Sequence, residues 1–174
     1  MSELNRLSVD EFKKSGKLPV VIVLDNVRSL NNIGSIFRTS DAFGVEEIYL
    51  CGISGTPPHK EIHKTALGAE NSVSWKYFNN TLHALEELQA KGYIVCALEQ
   101  TEKSLNLTDF IPKPEQKYAF IFGNEVKGVL QEAINHSDLS LEIPQFGTKH
   151  SFNVSVTSGI VLWDFFVKRQ KSSQ

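Results

Sequence analysis

Short runs of consecutive apolar residues alternate along this chain with longer stretches in which apolar positions recur every three or four residues. The first pattern suits strands buried on both faces and the second suits helices lying on a sheet. Their alternation predicts repeated βα units around a mostly parallel sheet. Six strands are expected, at about 19–25 (PVVIVLD), 47–51 (EIYLC), 73–77 (VSWKY), 93–98 (YIVCAL), 118–122 (YAFIF) and 139–143 (LSLEI). Helices are expected at about 33–43, 59–68, 80–91, 127–135 and 153–169, with a short extra one at 8–14 that starts on Ser8 and has Glu11 three residues on. Gly44 and Gly92 mark two helix ends, and Thr56-Pro57-Pro58 breaks any regular element before the second helix.

The last helix stands apart from the others. Phe152, Val154, Val156, Ile160, Val161, Leu162, Trp163, Phe165, Phe166 and Val167 leave it little polar face. It is therefore expected to be buried nearly all round, part of its surface being covered by a second copy of the chain.

Composition narrows the class without naming the chemistry. The 174 residues, 41% hydrophobic and 22% charged, suit one globular α/β domain (19–174) behind a short N-terminal extension (1–18). No stretch has the length and apolarity of a membrane span, and the first residues are acidic where a signal peptide would be apolar; a cytoplasmic location is expected. Cys51 and Cys96, each inside an apolar run, read as buried strand thiols. His59 and His63 in HKEIH lack a clear third ligand, so no metal site is expected. A net charge of −2 excludes coating a nucleic acid by bulk electrostatics. Any such contact has to be local, with candidate basic spots at Lys13, Lys14 and Lys17, at Lys60 to Lys64, at Lys149 and His150, and at Lys168, Arg169 and Lys171.

Ligands of open α/β sheets bind beyond the carboxyl ends of the strands, and three polar, glycine-containing segments fall there. The first is NNIGSIFR after strand one, whose helix start offers free N–H groups and a dipole to a phosphate, with Gly34 permitting close approach and Arg38 one turn further on the same side. Spacing alone leaves a second reading open, in which Asn32 is an N-cap and Arg38 a surface cation. The second segment, FGNEVKG, turns sharply at Gly123 and puts Glu125 at a helix start, where on its own it reads as a dipole complement. The third, IPQFGTKHSFNVSV, leads into the apolar final helix and carries Ser151, Asn153 and Ser155, polar groups that need partners. No G-x-G-x-x-G, P-loop or nucleophile-elbow pattern is present.

Taken together and in this order, the three segments resemble the motifs of the SpoU/TrmH RNA 2′-O-ribose methyltransferases of the SPOUT superfamily, over about residues 19–169. Asn32 and Arg38 match the key positions of the first motif, Glu125 that of the second, and Ser151 and Asn153 those of the third. Phe152 departs from the family's usual leucine, which implies a reshaped pocket wall. The resemblance implies a C-terminal deep trefoil knot and S-adenosylmethionine bound by Leu98, Glu99, Gly123, Asn124, Ile143, Ser151 and Phe152. It also implies a homodimer formed through the final helix and the first motif. Arg38, Asn32, Glu125, Ser151 and Asn153 become the catalytic set. Because a guanidinium is a poor base at neutral pH, Arg38 is expected to fix an RNA phosphate and stabilise the developing alkoxide. The implied substrate is RNA, with tRNA favoured over rRNA. The rivals are a catalytically silent knotted RNA-binding dimer and a base-directed knotted methyltransferase.

Overall fold

The computed structural model describes residues 7–148 and 151–172. Seven strands form one sheet: β1 (Leu18–Asp25), β2 (Val45–Cys51), β3 (Ser74–Phe78), β4 (Tyr93–Leu98), β5 (Leu105–Asn106), β6 (Lys117–Phe122) and β7 (Leu139–Glu142). Their order is β3-β2-β1-β6-β4-β7-β5, and every pair runs parallel. The expected six strands become seven because β5, two residues long and half exposed, is too short to carry a periodic signal.

Alternate strand residues feed two cores, which is why the central strands read as continuous apolar runs. Val20, Ile22 and Leu24 of β1 pack with Phe120 and Phe122 of β6 under α2 (Leu30–Phe43), α3 (Lys60–Ala66) and α7 (Val154–Ser172). Val21 and Val23 turn the other way, with Ala119 and Ile121, under α5 (Thr81–Ala90) and α6 (Gln131–His136). The short α1 (Val9–Lys14) carries the Ser8–Glu11 capping box, and its Phe12 packs against the first core, so the end of the N-terminal extension docks on the domain.

Three expected helices differ in detail. Helix α2 starts three residues earlier than its pattern suggests, because Ser29 is the N-cap and accepts from Asn32 N at 3.2 Å; Asn32 is inside the helix. The helix expected over 59–68 stops at Leu67, and α4 (Ala69–Ser72) follows, since Leu67 and Gly68 both take positive φ. The helix expected at 127–135 begins only at Gln131. Asn124 and Gly128 exchange two backbone hydrogen bonds of 2.9 Å, which closes a tight turn there, and Gly128 sits in the left-handed region at φ +69°.

Helix α7 buries Val154, Ser158, Val161, Leu162 and Phe165, a stripe at helical spacing that packs on the first core. Within one chain it is not buried all round: Trp163 is 59% exposed and Val156 51%. The knot implied by the resemblance depends on how the connection from β7 to α7 threads, and residues 149 and 150 of that connection lie outside the described residues.

Candidate functional site

Strand order reverses around β1 and β6, and a cleft of about 930 Å³ opens beyond the carboxyl ends of β4, β6 and β7. All seven residues expected around the cofactor line it: Leu98, Glu99, Gly123, Asn124, Ile143, Ser151 and Phe152. Glu125 and Asn153 line it too. Asn32 and Arg38 do not, although Asn32 reaches its edge through side-chain hydrogen bonds.

Those bonds tie the three motif segments together. Asn153 Nδ2 donates to Asn32 Oδ1 at 3.1 Å, and Asn32 Nδ2 donates to Glu125 Oε1 at 3.3 Å. Glu125 also accepts from the backbone N–H groups of Ser29 at 3.0 Å and Arg28 at 3.1 Å. Its carboxylate thus sits at the amino end of α2, a helix remote in sequence, and not at the start of its own. Burial pushes the Glu125 pKa up, but the hydrogen bonds from Ser29, Arg28 and Asn32 outweigh it and hold the group below the ordinary carboxylate range.

This arrangement corrects the phosphate site expected at the same helix start. The anion there is the protein's own carboxylate. Gly34, expected to admit a ligand, is buried against α3: a Cβ on it would lie 2.1 Å from Thr65 Oγ1 and 2.3 Å from the Ile62 carbonyl oxygen. Arg38 is exposed on α2, and its side chain makes no hydrogen bond among the described residues.

The cleft floor is the 123–128 turn. Asn124 Nδ2 donates to the Asn26 carbonyl at 2.8 Å, while its Oδ1 accepts from Val126 N and Lys127 N. Gly123 is required there, since a Cβ would fall within 2.1–2.4 Å of the backbone of Gly128 and Val129. On the opposite wall Asn153 caps α7, accepting from Ser155 N, Ser155 Oγ and Val156 N. Ser151 is exposed at the rim, as are Phe152 and Phe146.

Sequence reasoning missed Asp25. This fully buried carboxylate at the end of β1 accepts from Leu130 N at 2.8 Å, Thr81 Oγ1 at 2.6 Å and Asn26 Nδ2 at 2.8 Å, and so anchors the far end of the turn. An aspartate closing an otherwise apolar run was the available signal.

Other candidates lie elsewhere. His59 Nδ1 accepts from Glu61 N as the cap of α3, and His63 Nδ1 pairs with Glu70 Oε1 at 2.5 Å. No group of three potential ligands for a metal exists among the described residues. Cys51 and Cys96 are buried strand thiols, and burial pushes Cys51 up to about 12. Lys149 and His150 lie outside the described residues. No described helix is long and apolar enough to cross a membrane.

The model of the SpoU rRNA Methylase family matches residues 19–163, from the start of β1 well into α7. The chain belongs to this family. SpoU relatives include a tRNA (guanosine(18)-2′-O)-methyltransferase of Borreliella burgdorferi, 27% identical over 88% of this chain and 69% of that protein. A 23S rRNA (guanosine-2′-O-)-methyltransferase of Neisseria meningitidis is 29% identical over 88% of this chain and 60% of its own length. The crystal structure of an AdoMet-bound rRNA methyltransferase from Sinorhizobium meliloti superposes with a TM-score of 0.78 at 25% identity, covering 88% of this chain and 58% of that one. The chain spans roughly six to seven tenths of the length of the curated relatives it matches.

Proposed function

We propose that this SpoU protein transfers a methyl group from S-adenosylmethionine to a ribose 2′-hydroxyl of RNA. The observation that carries the reading is the Glu125–Asn32–Asn153 network, which joins all three motif segments beside one cleft. The cleft's chemistry fits a cationic, partly apolar cofactor: Leu98, Phe122, Leu141 and Ile143 give it apolar walls, and Glu99, Glu125 and Glu142 line it with carboxylates, against one lysine, Lys127, among the described residues. Leu98, Gly123, Asn124, Ile143, Ser151 and Phe152 are the residues assigned to hold it, with Glu99 as part of the wall around them. When bound, S-adenosylmethionine supplies an electrophilic methyl whose leaving group departs neutral.

The chain's own residues then have to handle the ribose oxygen. Asn32 and Asn153 fix the edge of the cleft, Glu125 holds the 123–128 turn to the start of α2, and Ser151 contributes from the rim. Arg38 binds the RNA phosphate and stabilises charge developing on the 2′-oxygen, while a phosphate oxygen or water takes the proton. Arg38 lies outside the cleft of its own chain, so it acts at a seam between two copies, one protomer's Arg38 serving its partner's cleft. The exposed apolar face of α7, beside α2, supports that homodimer. A cytoplasmic setting and the remaining features of the family reading, including the knot and the division into an extension (1–18) and a methyltransferase domain (19–174), belong to the same proposal.

The substrate favoured is tRNA over rRNA, since the basic spots are few and local. Incubating the protein with radiolabelled S-adenosylmethionine and, separately, unmodified tRNA and rRNA tests this, with nuclease digestion to locate the label. Label on ribose in tRNA is expected. Label on a base, or no specific binding of S-adenosylmethionine by calorimetry, overturns the reading.

A further inference from the structure

Strand β6 lies between β1 and β4, and the turn that leaves it is gripped from both flanks. The backbone N–H groups of Val129 and Leu130, adjacent in the chain, end on two carboxylates. Val129 N donates to Glu99 Oε2 at 2.9 Å, and Leu130 N donates to Asp25 Oδ2 at 2.8 Å. Asp25 closes β1, and Glu99 is the residue directly after β4.

Glu99 is anchored at both of its own ends. Its backbone N–H donates to the Leu141 carbonyl at 3.0 Å, which fixes it to β7, and its second carboxylate oxygen accepts from Gln100 N at 3.2 Å. The fit around it is close: a Cβ on Gly128 would lie 2.2 Å from Glu99 Oε2, so the carboxylate reaches Val129 only because position 128 has no side chain. Residues 98–100 line the cleft, and so does the 123–128 turn, whose end Glu99 holds through Val129.

We infer that Glu99 is a positioning residue, a clamp that sets the spacing of these two walls, and that its carboxylate is not a direct ligand of the cofactor. The inference deepens the methyltransferase reading and rests on the cleft being the S-adenosylmethionine site. Both oxygens already hold backbone donors, and removing the carboxylate leaves the N–H of the buried Val129 without its partner. The clamp acts before any ligand arrives.

The test uses the full chain without cofactor first. Glu99→Ala is expected to speed amide exchange across the 124–130 segment by about tenfold, the equivalent of one lost buried hydrogen bond, while exchange in β1 and β2 stays at the wild-type rate. Glu99→Gln, whose amide oxygen still accepts from Val129 N, is expected to restore most of that protection. Calorimetry with S-adenosylmethionine then shows affinity falling by a similar factor in Glu99→Ala, and Glu99→Gln recovering most of it. Weakened cofactor binding with unchanged exchange makes Glu99 a direct ligand and overturns the inference; unchanged binding and unchanged exchange overturn it as well. Wild-type protein that fails to bind S-adenosylmethionine sinks the functional reading instead, and the exchange measurement still decides whether Glu99 holds the turn.

Discussion

Individual side chains here divide into those that hold the cleft and one that stands apart from it. The Arg38 side chain makes no hydrogen bond among the described residues and does not line the cleft, so its removal leaves the cofactor walls intact. Arg38→Ala is therefore expected to lower turnover by about 10²–10³-fold, the effect of losing one electrostatic stabiliser of the transition state, with S-adenosylmethionine affinity unchanged by calorimetry. Glu125 gives a pH signature. Its folded pKa is depressed, so its contribution to stability is complete above the ordinary glutamate value of 4.5 and is lost as pH falls through the lower folded value. Glu125→Gln is expected to be less stable than wild type at neutral pH in urea melts, with the gap closing at acid pH. A gap that is constant with pH would contradict the assignment.

At the scale of elements, the 123–128 turn and the cap of α7 are the two local structures on which the site depends. Gly123→Ala drives a methyl group into the backbone of Gly128 and Val129. The cost expected is about 1–3 kcal/mol in urea unfolding, the usual range for overpacking, together with loss of S-adenosylmethionine binding as the turn opens. Asn153→Ala removes three bonds from the first turn of α7 and the link to Asn32. It is expected to cost about 1 kcal/mol in the same measurement. Asn153→Asp keeps the cap but loses the donor to Asn32, so it is expected to retain stability better than it retains activity. The helix boundaries show what local pattern could and could not carry. The apolar stripe Ile33, Ile36 and Phe37 made α2 legible, and its start slipped only because Ser29, not Asn32, supplies the cap. The 127–135 helix was misplaced because GNEVKG reads equally as a helix start and as a closed turn. The choice is made by Asn26, Asp25 and Glu99, which hold the turn from segments 30 to 105 residues away.

For the whole molecule, the outer face of α7 leaves Trp163 and Val156 exposed. Trp163 and Phe166 stack at 6.2 Å between ring centroids, and both lie beside Phe43 of α2, forming an aromatic patch continuous with the helix that carries Arg38. Trp163→Glu places a charge in that patch. It is expected to shift the protein from dimer to monomer by sedimentation equilibrium and to reduce methyl transfer with it, since Arg38 is assigned to the partner's cleft. A monomeric wild type would remove the basis of that assignment.

By itself the sequence determined the layered α/β architecture, the core strands and the residues that end up around one cleft. Those follow from hydrophobic periodicity and from polar residues placed at strand ends, which are local features of the chain. Tertiary structure alone decided which backbone donors each polar group meets. Glu125 serves the start of α2, Gly34 packs on α3, and Asp25 and Glu99 close on one turn, because strand order brings together segments whose separation along the chain leaves no periodic trace.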